Sequence, residues 1–187
     1  FPATGAWTLV SGTGSITDPT DPNTPVTGLG IGPNVFEWTV SNGPCANPIT
    51  ADQITITVFD QNEPAANAGP DQEFCTPVSS TTLSANTPTL PATGSWSLIS
   101  GTGTIVDPTD PNTQVNGLTV GEHIFQWTIS NGPCPGSPSP DQVSIFIFDE
   151  NNPIADAGSD QQLCTPTSST TLAGSSVTFP LPGHGRW

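Results

Sequence analysis

The sequence predicts an all-β protein made of tandem antiparallel β-sandwiches, and three observations support this. Short apolar segments alternate with polar residues at a period of two, as in half-buried strands, and no window keeps the 3.6-residue period of an amphipathic helix. Turn residues separate these segments along the 187-residue chain, which contains 22 Pro and 19 Gly. The chain also repeats itself when it is shifted by 89 residues.

The internal repeat defines the predicted domains. Pro2 aligns with Pro91, and 36 of the 62 positions from residue 2 to residue 63 are identical 89 residues later. Polar segments that contain Pro, at residues 60–64 and 149–153, follow apolar strands and have the composition of short linkers. Cutting the chain there gives unit 1 (residues 1–63, a partial repeat that lacks its first two strands), unit 2 (residues 64–152, a complete repeat) and unit 3 (residues 153–187, the start of a third repeat).

Unit 2 contains about seven predicted strands, the number typical of an immunoglobulin-like antiparallel sandwich. The last two strands surround Trp127 and Ile145, where apolar and polar residues alternate on either side of the turn Asn131-Gly132-Pro133. The other five are bounded by Gly, Pro, Asn or Asp and cover residues 66–75, 80–86, 94–100, 103–107 and 113–118. The predicted core residues of the repeats are Trp7, Phe36, Trp38, Trp96, Phe125, Trp127, Val143, Ile145 and Ile147.

Composition argues against several classes of function. Sixteen acidic residues against one basic residue give a formal net charge of −15, which disfavours binding to nucleic acid and to anionic membranes. No run approaches the roughly 20 apolar residues that span a bilayer, so we expect no membrane insertion in this segment. His and Lys are two of the commonest residues in acid–base catalysis, and the chain has only two His and no Lys. We therefore expect no enzyme, no catalytic residue and no bound cofactor.

A family resemblance follows from motifs spread over the whole chain. These motifs include Ala68-Gly69-Pro70-Asp71-Gln72, Gly94-Ser95-Trp96 and the run from Phe125 to Cys134. Together they resemble the PKD-like and immunoglobulin-like repeats of very large surface adhesins in Bacteroidota, such as gliding-motility adhesins and other cargo of the type IX secretion system. The resemblance implies an exported protein that is extracellular or lies at the cell surface.

Four cysteines, Cys45, Cys75, Cys134 and Cys164, recur at the repeat spacing without a CxxC motif. In an exported chain this pattern favours disulfides over a metal site, with free buried thiols as the alternative. Cys75 ends the first predicted strand of unit 2, whereas Cys134 follows the sixth strand at the opposite pole. A bridge needs Cα atoms within about 7 Å, so a bond inside the unit is strained and a bond to the neighbouring unit is favoured. No two of the four would then pair within this chain.

The acidic turn at Asp107, Asp110 and Asn112 repeats the turn at Asp18, Asp21 and Asn23. Oxygen ligands of this kind make both turns candidates for Ca²⁺, but successive type I turns, in which Asp accepts local backbone N–H bonds, explain them better.

Single residues offer few further candidates. His123 stands alone, and its counterpart in unit 1 is Asn34, which disfavours a repeated metal or catalytic role. Phe59, Phe146 and Phe148 are expected in the core, with a packing surface between units as the alternative.

The leading functional hypothesis is mechanical. Tandem sandwiches joined by short Pro-containing linkers would form a stalk or filament of an extracellular adhesin that presents binding regions elsewhere. Its partners would be neighbouring repeats of the same chain and other copies in a filament or bundle. One alternative is a carbohydrate- or ligand-binding module. Another is a filament subunit that polymerises by strand complementation between chains.

Overall fold

The chain folds into β-strands joined by turns. The computed structural model describes residues 3–43, 49–136, 138–151 and 154–176, and these contain twelve strands and no helix. No segment in these ranges therefore forms an apolar helix of membrane-spanning length. Unit 1 contains β1 (Thr4–Ser11), β2 (Ser15–Ile16), β3 (Val26–Thr27), β4 (Gly32–Ser41) and β5 (Ile49–Val58). Unit 2 contains β6 (Gln72–Cys75), β7 (Ser80–Thr82), β8 (Thr93–Ser100), β9 (Thr104–Ile105), β10 (Gln114–Asn116), β11 (Gly121–Ser130) and β12 (Ser139–Phe148).

Unit 2 is a two-layer β-sandwich, as its turn-separated apolar segments predict. One sheet has the strand order β6-β12-β11-β8 and the other β7-β10-β9. Neighbouring strands are antiparallel except β6 and β12, which pair in parallel. Because side chains alternate along each strand, one face of each sheet is apolar and packs on the other sheet. The buried core comprises Ala68, Leu83, Ala92, Trp96, Val115, Leu118, Phe125, Trp127, Ile129, Val143, Ile145 and Ile147.

The first predicted strand of unit 2 is shorter than the pattern suggests. Ladder pairing begins only at Gln72, although the sequence predicts a strand from residue 66. Gly69 has φ of +84°, and Pro70 lacks a donor, so this dipeptide interrupts the ladder. Before it, Asn67 exchanges hydrogen bonds with Asn86; after it, β6 pairs with β12. Because of this interruption, the segment of residues 66–75 lies first beside the residues that follow β7 and then along β12 of the other sheet.

Two tryptophans form the centre of each unit. The rings of Trp96 and Trp127 lie 5.2 Å apart at 46° in unit 2, and those of Trp7 and Trp38 lie 5.2 Å apart at 47° in unit 1. A Cβ on Gly94 would overlap Cζ2 of Trp127. The Gly-x-Trp motif therefore places a residue without a side chain under the partner indole.

Unit 1 has the same strands as the second half of a complete unit but a less buried interior. Its sheets are β1-β4-β5 and β2-β3. Phe36 is buried, Trp7 and Trp38 are half-buried, and Ile54 is 51% exposed. In unit 2, Val143 occupies the position of Ile54 and is 1% exposed. Among the described residues, no segment covers the sheet face of unit 1 as residues 66–83 cover that of unit 2.

The described part of unit 3, residues 154–176, forms no ladder and is exposed throughout. It nevertheless has internal order. Gln161 Nε2 donates to the carbonyl of Thr171 at 2.9 Å, and the hydroxyl of Thr170 donates to Oε1 of Gln161. These contacts match those of Gln72 with Thr82 and Thr81 in unit 2. The segment therefore repeats these local side-chain contacts of its unit 2 counterpart.

Candidate functional site

The two sandwiches meet at a contact that we call the junction, formed by Phe59 and Asp60 of unit 1 and Asn131 and Gly132 of unit 2. Nδ2 of Asn131 donates to the carbonyl of Asp60 at 2.6 Å. Gly132 has φ of +54°, and a Cβ on it would lie 2.6 Å from the Phe59 ring. The turn of unit 2 therefore fits closely against the end of unit 1. Phe59 lies between units, which is the packing alternative named above.

The chain enters and leaves unit 2 at opposite poles. At one pole the N–H of Ala66 donates to Oγ of Ser139, the first residue of β12. At the other pole β12 ends at Phe148, beside Cys75. Ten strand residues separate these ends, a length of about 30 Å. Successive units are thus connected head to tail, with the junction at one end of unit 2.

A buried polar residue closes the Gly-Thr-Gly turn of each unit. In unit 2, Nδ1 of the buried His123 accepts the N–H of Thr102 at 2.9 Å, and Nε2 lies 2.8 Å from the carbonyl of Thr119. In unit 1, Oδ1 of the buried Asn34 accepts the N–H of Thr13 at 2.8 Å. His123 and Asn34 therefore accept the equivalent backbone hydrogen bond in their two units. Sequence reasoning missed this equivalence because an imidazole and an amide differ chemically.

The acidic turns use their carboxylates locally. Oδ1 of Asp107 accepts the N–H and the hydroxyl of Thr109, both at 2.8 Å, and Oδ1 of Asp110 accepts the N–H of Asn112 at 2.8 Å. The turn at Asp18, Asp21 and Asn23 has the same bonds. The backbone N–H of Thr109, and then its hydroxyl, lower the pKa of Asp107, as Thr20 lowers the pKa of Asp18. Successive type I turns, in which Asp accepts bonds from nearby residues, account for the hydrogen bonds of both acidic turns.

The described cysteines are free thiols. Cys75 and Cys164 are exposed and Cys134 is half-buried, while Cys45 lies outside the described residues. Cys75 sits at the exit pole beside Phe148, and Cys134 follows β11 at the junction pole. The length of β12 between these poles, about 30 Å, is far beyond the reach of a disulfide. A Cys75–Cys134 bridge inside unit 2 does not form, and a bridge between units stays a prediction.

In the described ranges, the His, Cys, Asp and Glu side chains form no group of three that could hold a metal ion.

The exposed interior of unit 1 forms a groove. Its volume is 340 Å³, and it is lined by Trp7, Pro22, Trp38, Asp52, Gln53 and Ile54. A smaller pocket adjoins it and reaches Ile16, Val26, Phe36 and Ile56. The lining of this groove, which we call the unit 1 groove, is mainly apolar, with Asp52 and Gln53 as its polar members. Two predicted core residues, Trp7 and Trp38, line the groove, and a third, Phe36, lines the adjoining pocket.

Comparisons with known proteins found larger proteins with similar sequences. No family model matches the chain. It is 34% identical over 152 residues, 76% of its length, to Dyslexia-associated protein KIAA0319-like protein of Mus musculus, and 28% identical over 150 residues, 75% of its length, to Dyslexia-associated protein KIAA0319 of Homo sapiens. The chain spans 14% of the length of each of these proteins.

A solved structure also matches part of the chain. The solution structure of the PKD domain from KIAA 1837 protein is 26% identical, with a TM-score of 0.41; the match covers 49% of this chain and 93% of that domain. The chain is similar in sequence to this PKD domain over about half of its own length.

Proposed function

We propose that the chain is a segment of an extracellular stalk that acts by reach and stiffness, and that performs no chemistry. The observation that carries this proposal is the junction, where Asn131 and Gly132 of one sandwich contact Asp60 and Phe59 of the preceding one. A flexible string of domains needs no such contact. A stalk that holds a distal region away from a surface does, because bending at each linker would shorten its reach.

The strand arrangement supports a load-bearing role. The first strand of unit 2, β6, lies parallel to the last strand, β12, and the chain enters and leaves the unit at opposite poles. Tension along the chain therefore pulls β6 and β12 in opposite directions and loads their hydrogen bonds in shear. Bonds loaded in shear must break together, whereas bonds at the end of a hairpin open one after another.

The finer assignment is to a large surface adhesin of the Bacteroidota type. It is supported by the motifs and the cysteine spacing described above. The acidic surface, with a net charge of −15, keeps neighbouring stalks apart at low ionic strength. We propose that this role does not depend on Ca²⁺; in the acidic turns Oδ1 of Asp107 and Oδ1 of Asp110 accept hydrogen bonds from Thr109 and Asn112.

Residual dipolar couplings test the stiffness of the junction. For the whole chain in a dilute alignment medium, we expect units 1 and 2 to share one alignment tensor. Phe59→Ala should remove the ring that packs on Gly132 and give the two units different tensors. Phe74→Leu, a conservative change in β6 away from the junction, is the control and should leave a common tensor. Different tensors in the unaltered chain would contradict the proposal.

A further inference from the structure

The junction contains the dipeptide Asn131-Gly132, and Asn-Gly is the pair at which deamidation meets the least steric resistance. The reaction begins when the backbone nitrogen that follows an Asn attacks the carbon of the side-chain amide. Gly has no Cβ to hinder this approach, so an Asn that precedes a Gly is chemically labile. Another such pair, Asn116-Gly117, lies at the end of β10 in unit 2, outside the junction.

Deamidation at this position would need no reactant other than water. The nitrogen of Gly132 loses its proton to solvent and bonds to Cγ of Asn131, and the Cγ–Nδ2 bond breaks and releases ammonia. Water then opens the resulting succinimide ring. The net reaction converts an amide and a water molecule into a carboxylic acid and ammonia, without oxidation or reduction. The product is an aspartate or an isoaspartate at position 131, and in the isoaspartate the backbone runs through the side-chain carbon.

Contact between the two units opposes this reaction. Nδ2 of Asn131 donates to the carbonyl of Asp60 at 2.6 Å, and Asn131 is only 7% exposed. Ring closure has to turn the amide towards Gly132 and break that hydrogen bond. Gly132 packs so closely that a Cβ on it would lie 2.6 Å from the Phe59 ring, which leaves its backbone little room to shift. Asn131 therefore reacts from an opened junction, as a buried amide proton exchanges from a locally opened state.

The products of deamidation do not fit the closed junction. An ionised carboxylate only accepts hydrogen bonds, so at position 131 it would face the carbonyl oxygen of Asp60 as a second acceptor. It would also carry a charge into a largely buried contact. An isoaspartate adds a carbon atom to the backbone directly before Gly132, where the turn packs on Phe59. A junction that has reacted therefore stays open.

We propose that Asn131 is a site of spontaneous modification that the junction controls. While units 1 and 2 are in contact, the side chain stays an amide. When the junction opens, Asn131 deamidates, and the two units then remain uncoupled. The proposal deepens the stalk function and rests on the same junction, because a stalk that had been bent or pulled apart at this point would become permanently flexible there.

Peptide mapping by mass spectrometry measures the protection of Asn131. The whole chain is incubated at mildly alkaline pH and digested with pepsin in acid, where ring closure is slow. The deamidation rate at Asn131 is then divided by the rate at Asn116 in the same sample. Phe59→Ala removes the ring that packs on Gly132 and should raise this ratio at least about tenfold. Phe74→Leu, the control away from the junction, should leave the ratio unchanged.

A second variant separates opening of the junction from the chemistry. The methyl group of Gly132→Ala would overlap the Phe59 ring and open the junction, but it would also hinder attack by the backbone nitrogen. Residual dipolar couplings should therefore give the two units different alignment tensors. Position 131 should nevertheless deamidate several-fold more slowly than in Phe59→Ala.

A third variant reproduces the charge of the product. Asn131→Asp should give units 1 and 2 different alignment tensors, because the donor to the Asp60 carbonyl is lost. Asn116→Asp adds the same charge outside the junction and is the matched control. It should leave a common tensor.

Three results would overturn the proposal. One is the same ratio of deamidation rates in the unaltered chain and in Phe59→Ala. Another is deamidation in Gly132→Ala that is as fast as in Phe59→Ala, which would exclude the backbone nitrogen as the attacking group. The third is an Asn131→Asp chain whose units keep a common tensor. Each of these leaves the stalk proposal standing if the unaltered chain has a common tensor, whereas different tensors in the unaltered chain contradict the stalk proposal by themselves.

Discussion

Units 1 and 2 carry nearly the same side chains and bury them differently. Trp96 and Trp127 are buried in unit 2, whereas Trp7 and Trp38, in the same mutual geometry, are half-buried in unit 1. Val143 is covered and Ile54 is not. The geometry of the indole pair thus depends on the two strands that carry it, which are β1 and β4 in unit 1 and β8 and β11 in unit 2. Burial of the pair depends on the first two strands of a repeat.

The comparison shows that each repeat has two parts with different roles. The second half, from the Gly-x-Trp strand onward, forms the same ladder and aromatic pair in units 1 and 2. The first half forms the same internal bonds at Gln72 and at Gln161. Only their combination removes the apolar face from water, which is the main source of stability.

The largest expected effect comes from the central indole. Trp127→Ala should destabilise unit 2 by about 3–5 kcal/mol, because it leaves a cavity in a closed core. Trp38→Ala should cost unit 1 much less, since its indole is already half in water. Native-state hydrogen exchange, resolved into peptides of β11 and β4, measures both. Equal losses of protection in β11 and β4 would contradict the claim that the central indole is better covered in unit 2 than in unit 1.

The glycine under the indole should give the next largest effect. A Cβ at Gly94 would overlap the Trp127 ring, which is packed on all sides, and Gly94→Ala should cost about 1–3 kcal/mol. Gly5→Ala meets the Trp38 ring in the same way, but that ring can move outward. Urea denaturation of the two variants should therefore show a larger shift for Gly94→Ala; the reverse order would contradict this account.

The hydrogen bond from the Thr102 N–H to the buried His123 predicts that Asn can replace His at position 123. His123→Ala removes the acceptor of the Thr102 N–H and should cost about 1–3 kcal/mol, the penalty for a buried unpaired group. His123→Asn should recover most of this loss, because Asn34 performs the same task in unit 1. Thermal unfolding of both variants provides the measurement. If Asn gave no recovery, the two side chains would not be equivalent.

The smallest effect concerns the acidic turns. The pKa of Asp107 lies below its ordinary value in the folded chain, so its contribution to stability is present above about pH 4 and is lost as the pH falls through the folded pKa. Thr109→Val removes the hydroxyl donor and should raise the pKa of Asp107 towards its ordinary value. Carboxyl NMR titration checks this, with Asp18 in the same sample as the unaltered control; a rise at Asp18 too would point to a global change.

The candidate surfaces were less predictable than the strands. Phe59 comes directly after the alternating apolar residues of β5. No pattern in the sequence distinguishes an apolar residue at the junction from one in a core. The groove consists of core-type residues, so its existence depends on what covers them and not on their identity. The late start of the first strand of unit 2, at Gln72, could be read from Gly69-Pro70, but the transfer of that segment between two sheets could not.

Composition and periodicity determined the fold class, the repeat and the position of every long strand, because these follow from local backbone preferences and from which side of a strand is apolar. The tertiary structure alone decided which apolar faces are covered. It also decided that His123 and Asn34 close equivalent turns in their two units, and that Asn131 and Gly132 meet the preceding unit. These depend on contacts between residues far apart in the chain, where the geometry of packing, rather than the local pattern, sets the free energy.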